Sequence, residues 1–167
     1  MKYRSFVAAA ALSFSAPAIA SDWWIVLQRD SAGNVHFAET SQLRRTGDTV
    51  LYWTHIFYRE AIGAMKSARI QFEVNCATFS QRERRYLDYD ANRNVIESGD
   101  NTDPEGWREM APDTSGALYI RFACAAPEHR RASFLRIGDG ADIFEVAEFF
   151  LDPRPIVEIP SREAPRE

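Results

Sequence analysis

The feature that most constrains the fold of this 167-residue chain is its pair of cysteines, Cys76 and Cys124, the only two that it contains. Each closes a stretch, residues 70–76 and 118–124, in which every second residue is apolar. Alternation of this kind is typical of β-strands, in which every second side chain faces the same side. In each stretch the cysteine occupies one of the alternate positions that hold the apolar residues. We therefore expect one disulfide that joins two strands, with both sulfurs facing the core.

Residues 1–20 have the features of a secretory signal peptide. Lys2 and Arg4 precede an apolar run over residues 6–14, and residues 18–20 form a small-residue cleavage motif. The apolar run is far shorter than the roughly 20 residues needed to cross a bilayer, which disfavours a membrane anchor. The segment holds no cysteine that could carry a lipid. We expect an exported protein, periplasmic or secreted, that is not a lipoprotein and has no membrane span.

Export favours disulfide formation, because secreted and periplasmic proteins meet an oxidising environment. On the chain-entropy model, closing a loop of almost fifty residues stabilises the fold by about 4 kcal/mol. A metal site is disfavoured because the chain has no Cys-x-x-Cys and no nearby histidine pair. A core-facing position would also make either thiol inert as a nucleophile.

Charge and length limit the possible partners and the domain number. Without residues 1–20, which hold two basic residues and no acidic one, the formal net charge changes from −4 to −6. This acidic balance argues against nucleic acid as a partner. The remaining chain suits one domain, which we expect over residues 21–152. Residues 153–167 contain four prolines and no sustained apolar face, which predicts an extended or disordered tail.

The residue pattern between these ends is rich in strands and has one helix near its end. The capping box Asp142-x-x-Glu145 and the apolar spacing after it predict a helix that Pro153 stops. A polar connector is expected at 127–131, and a long loop at 97–115 in which Trp107 is the large apolar anchor. The predicted fold is α+β: an antiparallel β-sheet of about six strands, with the C-terminal helix packed on one face and one disulfide. The expected strands cover residues 23–27, 35–38, 49–59, 68–76, 82–90, 95–96 and 116–124, with one more short strand possible at 133–137.

Catalytic and cofactor motifs are missing from the sequence. It has no Gly-x-Ser-x-Gly, no phosphate-binding glycine loop and no dinucleotide fingerprint. Of its three histidines, His55 lies in the longest predicted strand, which favours a satisfied sheet histidine over a catalytic base. Residues 88–94 resemble the start of a calcium loop, but Arg93 and Gly99 occupy positions that need a glycine and a carboxylate, so a hairpin turn is the better interpretation. We expect no catalytic residue, no cofactor and no metal.

One strand offers a candidate binding surface. Arg82, Arg84 and Tyr86 alternate along it and are expected to share one face, with Arg85 on the other. Arginine and tyrosine are favoured at interfaces, and Trp107 in the long loop could add to such a surface. The alternative is a solvated sheet face whose charges discourage pairing at an edge.

The order of several motifs resembles the surface-adhesin protein E family, whose members are exported and mostly uncharacterised. The resemblance rests on residues 37–41 and 45–53, the stretch 72–76 that ends in Cys76, the run 86–95, and Trp107, with Pro112, Ser115 and Cys124 as further landmarks. It implies an antiparallel sheet with a helix packed on it. For the family's named member it also implies binding of host matrix or plasma proteins. No ligand-binding stretch of the family can be matched to this chain residue by residue.

These observations favour a non-enzymatic, exported protein-binding module of the bacterial envelope, with binding of a host protein as one form of that role. A protein partner is expected, and the oligomeric state stays open. An alternative is a periplasmic structural or assembly factor whose proline-rich tail binds the partner. A third option is a small hydrolase with an unrecognised site, which would need His55 in an open cleft beside a carboxylate or hydroxyl.

Overall fold

A computed structural model describes residues 21–103 and 105–152 of the chain. The interpretations of residues 1–20 as a signal peptide and of residues 153–167 as a tail lie outside the described residues. None of the helices in the described part is long and apolar enough to cross a membrane. The described residues form an α+β fold with eight strands and three helices.

The strands form one antiparallel sheet in the order β6-β5-β4-β3-β2-β1-β8, and β7 pairs with β5. Strands β1 to β6 are neighbours in chain order, so they form a meander of hairpins, and β8 returns to pair with β1. The predicted α+β class and antiparallel sheet are confirmed. The strands are β1 (Asp22–Leu27), β2 (Val35–Thr46), β3 (Thr49–Ile62), β4 (Met65–Asn75), β5 (Ser80–Tyr89), β6 (Val95–Asp100), β7 (Arg108–Glu109) and β8 (Leu135–Asp139).

Helices α1 (Ser115–Cys124) and α3 (Ile143–Leu151) pack on opposite faces of the sheet, and α2 (Pro127–Ser133) lies between them in the chain. We call these faces the α1 face and the α3 face. Strand β3 contributes to both, because its alternate residues point to opposite sides. Tyr52 joins a core with Phe122 of α1, whereas Phe57 joins a second core with Ile143 of α3. The C-terminal helix therefore packs on one face as predicted, and a second helix covers the other.

The expected strand over residues 116–124 is wrong, because these residues form helix α1. The Thr114 hydroxyl accepts a hydrogen bond from the Ala117 N–H and caps the helix. Ala117, Ile120 and Ala123 recur at helical spacing and are fully buried. Leu118, Ile120 and Phe122 alternate as the residues of a strand do. In a run this short, the apolar residues also fit the spacing of a helix.

The disulfide between Cys76 and Cys124 is confirmed, with the two Cα atoms 5.7 Å apart. It does not join two strands: Cys76 lies in the turn after β4 and Cys124 is the last residue of α1. Both cysteines are partly buried and pack at the margin of the α1 core. Arg45 donates hydrogen bonds to the carbonyls of Ala123 and Cys124, at 3.2 and 3.1 Å, and so satisfies the end of α1. The disulfide thus fixes the end of α1 to the sheet.

The remaining elements agree in part with the sequence patterns. Helix α3 begins after Asp142, the predicted N-cap, whose carboxylate accepts a 2.9 Å hydrogen bond from the Phe144 N–H. The short strand near residues 133–137 is β8. The polar connector expected at 127–131 is helix α2, with Pro127 in its first turn. The expected loop over 97–115 is interrupted, because β6 continues to Asp100 and β7 adds a short pairing to β5.

Candidate binding surface on the α3 face

Helix α3 covers only one end of its sheet face. Its core residues contact β1, β2 and the second half of β3 through Ile25, Phe37 and Phe57. Beyond them, Arg69, Gln71 and Glu73 of β4 and Arg82 and Arg85 of β5 lie on this face, and each is at least partly exposed. This part of the sheet is therefore available to a partner in the described structure.

A groove of about 660 Å³ crosses this open part of the α3 face. Leu51 and Gln71 contribute to its lining from two central strands, and Arg44 lines it from β2. Arg84 and Arg85 come from β5, and the chain after β6 completes one side. The lining residues are Arg44, Thr46, Thr49, Leu51, Gln71, Glu73, Arg84, Arg85, Asp100, Asn101 and Thr102.

The arginines of β5 are held by carboxylates. The Glu73 carboxylate accepts hydrogen bonds from Arg82 at 2.8 Å and from Arg84 at 3.2 Å. Arg85 donates to Asp100 at 2.6 Å. Each carboxylate fixes one part of a guanidinium, and the planar forks of Arg84 and Arg85 leave further N–H donors for a ligand. The surface is therefore an ordered set of cations rather than a set of freely rotating side chains.

Trp107 extends this set of residues. The Arg82 guanidinium lies over the Trp107 ring, 4.7 Å from its centroid, in a cation–π contact. Trp107 comes directly before β7, which pairs with β5 through Arg108 and Gln81, so the indole is placed beside Arg82. We call Arg44, Glu73, Arg82, Arg84, Arg85 and Trp107 the arginine surface.

The chain matches the family model of surface-adhesin protein E over residues 24–125, well over half of its length. The chain belongs to the surface-adhesin protein E family. No curated protein and no solved structure matches it. The family match covers the arginine surface, helix α1 and both cysteines, and it ends before α2, β8 and α3. The candidate surface is thus part of the adhesin E region of this chain.

Tyr86 does not belong to the arginine surface of this adhesin E protein. Gln71 pairs with Arg85 and the next residue, Phe72, pairs with Glu83, so Arg84 is an extra residue in a β-bulge. The bulge reverses the alternation and turns Tyr86 to the α1 face. There its hydroxyl donates a 3.0 Å hydrogen bond to Glu97, which raises the pKa of Tyr86. Arg82, Arg84 and Trp107 are brought together as the candidate surface requires, and Arg85, expected on the opposite face, joins them.

A buried ion pair borders the arginine surface and was not anticipated from the sequence. Glu39 is fully buried on the α3 face, where Arg69 donates a 2.5 Å hydrogen bond to its carboxylate and Ser41 donates a second. The Arg69 guanidinium lies over the rings of Trp53 and Trp23, at 4.9 and 5.7 Å. Glu39 lies two residues after Phe37 in β2, so the two side chains point to the same side of the strand. This spacing is the one feature of the sequence that indicates a buried carboxylate here. The ion pair connects β2 to β4 beside the groove.

His55 lies in an enclosed part of the core and not in an open cleft. It is 2 % exposed, its Nε2 is 3.0 Å from the Ser67 hydroxyl, and its ring stacks on Phe57 at 4.4 Å. Burial, with a smaller contribution from the Arg69 charge, lowers the pKa of His55 to about 3. The neutral imidazole of His55 packs between aromatic rings, as expected for a histidine with a structural role. Ser67 lines a separate cavity of about 240 Å³ under α3.

His36 forms a second polar contact inside the fold. Its Nε2 is 3.0 Å from the Asp30 carboxylate, and its Nδ1 contacts the Tyr119 hydroxyl of α1. Burial lowers the pKa of His36 despite the neighbouring carboxylate. In the neutral ring Nε2–H donates to Asp30 and Nδ1 accepts from Tyr119, so His36 links β2 to α1. Among the described residues, no group of three or more potential ligands is placed to hold a metal ion.

Proposed function

We propose that this protein is a non-enzymatic, exported protein-binding module of the bacterial envelope, and that the arginine surface is where it meets its partner. Membership of the surface-adhesin protein E family supports a binding role. The protein would act in the periplasm or after release, without a lipid anchor. The disulfide supports export, because such bonds persist in oxidising compartments.

The observation that carries this proposal is the pairing of Glu73 with both Arg82 and Arg84 on an open sheet face. Ordering two arginines in advance lowers the entropy lost when a partner binds them. Trp107 beside Arg82 adds a residue type that often dominates binding energy at protein interfaces. A sheet face that served only solubility would not need its cations fixed in this way.

A site-specific photocrosslinker tests the proposal in the native cell. Thr102 is exposed and lines the groove, so a photoreactive residue there should give a covalent adduct with a partner protein. Glu128 on α2 is also exposed and serves as the control position. We expect an adduct from position 102 and none of the same mass from position 128. Equal adducts from both positions, or none from position 102, would exclude the arginine surface as the site.

Deletion of residues 153–167 separates the proposal from the alternative of an assembly factor that binds through its tail. If the arginine surface is the site, the truncated protein should form the adduct from position 102 in the same yield. Loss of the adduct on truncation would favour the tail as the binding segment.

A further inference from the structure

We infer that the groove of the arginine surface binds an extended, acidic segment of the partner polypeptide, an inference that rests on the proposed function. The protein as a whole is acidic, yet this groove is lined by three arginines and two carboxylates. A local excess of positive charge on an acidic protein favours a negatively charged ligand at this place.

Arg44 is the cation best suited to meet such a ligand. It lines the groove and is exposed, and within the described residues its side chain forms no ion pair or hydrogen bond. It pairs in register with Leu51, which places it on the same sheet face as Gln71 and Glu73. An unpaired guanidinium beside two ordered ones can bind carboxylates through paired N–H donors.

The groove also suits the backbone of a polypeptide. The hydroxyls of Thr46, Thr49 and Thr102 and the Gln71 amide line it, and none of these side chains makes a hydrogen bond elsewhere in the described structure. They are available to peptide N–H and C=O groups. Glu73 and Asp100 would repel a dense polyanion, whereas an acidic peptide can place its carboxylates at the arginines and its amides at these two acids.

The dimensions of the groove set the length of the ligand. Its lining residues come from five neighbouring strands, β2 to β6. Adjacent strands are about 4.8 Å apart, so the groove is roughly 19 Å long. An extended chain advances about 3.3 Å per residue, which corresponds to about six residues.

A fluorescent hexapeptide of alternating glutamate and threonine tests this inference by anisotropy with the mature protein. Two matched peptides carry glutamine or lysine in place of glutamate. We expect saturable binding of the acidic peptide alone, weakened by added salt because the charges are exposed. Arg44→Gln and Arg84→Gln should each weaken it roughly threefold to tenfold. Arg131→Gln is the control, since Arg131 is exposed on α2 and is likewise unpaired in the described structure.

Three results would overturn the inference: no binding of the acidic peptide, equal binding of the glutamine peptide, or equal losses from Arg131→Gln and Arg44→Gln. Tighter binding of a sulfated oligosaccharide of equal charge would also overturn it in favour of a glycan. The photocrosslinking adduct from position 102 is independent of the peptide. If that adduct forms and the acidic peptide fails, the proposed function stands and only this ligand assignment is wrong.

Discussion

Arg69 donates a 2.5 Å hydrogen bond to the fully buried carboxylate of Glu39, and this contact connects β4 to β2 across the intervening strand β3. Removal of the guanidinium would leave a buried carboxylate without its counter-charge, which is strongly destabilising. Arg69→Met should therefore lower the free energy of unfolding by about 3 kcal/mol, measured by urea denaturation.

The double variant Arg69→Met/Glu39→Gln provides the control for this prediction. It removes both charges, so it should be more stable than Arg69→Met alone. A single Arg69→Met variant within about 0.5 kcal/mol of the wild type would show that the ion pair has no structural importance.

Stability should fall as the pH decreases below the pKa of an unfolded histidine. The folded pKa of His55 is lowered to about 3 from 6.5, so below pH 6.5 the unfolded chain binds a proton that the folded protein does not. The contribution of neutral His55 to the free energy of unfolding is fully present above pH 6.5. Below that pH it falls by about 1.4 kcal/mol per pH unit. Between pH 6.5 and 5 the loss from His55 is roughly 2 kcal/mol.

His55→Gln should have a smaller pH dependence than the wild type in the same denaturation series. Some dependence remains, because burial also lowers the pKa of His36. Identical pH dependence of the two proteins would mean that His55 does not titrate as its buried position requires.

Reduction of the disulfide should destabilise the protein. The bond between Cys76 and Cys124 spans 48 residues in sequence, for which the chain-entropy model gives about 4 kcal/mol. Thermal unfolding with and without a reductant measures this loss. A Cys76→Ala/Cys124→Ala variant should be equally destabilised and insensitive to the reductant. Two free thiols in the protein isolated from its native cell without a reductant would contradict the bond itself.

The N-terminal cap of α1 gives a test of the helix that replaces the expected strand. Thr114→Ala removes the acceptor for the Ala117 N–H and should cost about 1 kcal/mol of unfolding free energy. Thr114→Asn retains an oxygen at this position and should cost much less. If both substitutions are neutral, the cap does not stabilise the start of α1.

The sequence predicts the parts of the fold that depend on local periodicity. Strand β3 has its two faces as expected, because Tyr52 and Phe57 lie on opposite parities of a long β-rich run. The sequence pattern indicates a strand where helix α1 forms, because a ten-residue run can fit both the period of a strand and that of a helix. Burial against Tyr52 favours the helix. The sheet face on which Tyr86 lies could not be predicted, since no glycine or proline marks the bulge at Arg84. The ion pair of Arg69 with Glu39 depends on the register of three strands, which periodicity does not specify.

A single charge reversal on the arginine surface tests the proposed binding site most directly. Arg44→Glu changes an exposed arginine that has no partner in the described structure, and Arg131→Glu makes the same change on α2. The measurement is the Kd of the partner protein identified by photocrosslinking, determined for the wild type and both variants. We expect Arg44→Glu to weaken binding at least about tenfold and Arg131→Glu to have little effect. Equal Kd values for all three proteins would contradict the assignment of the arginine surface as the binding site.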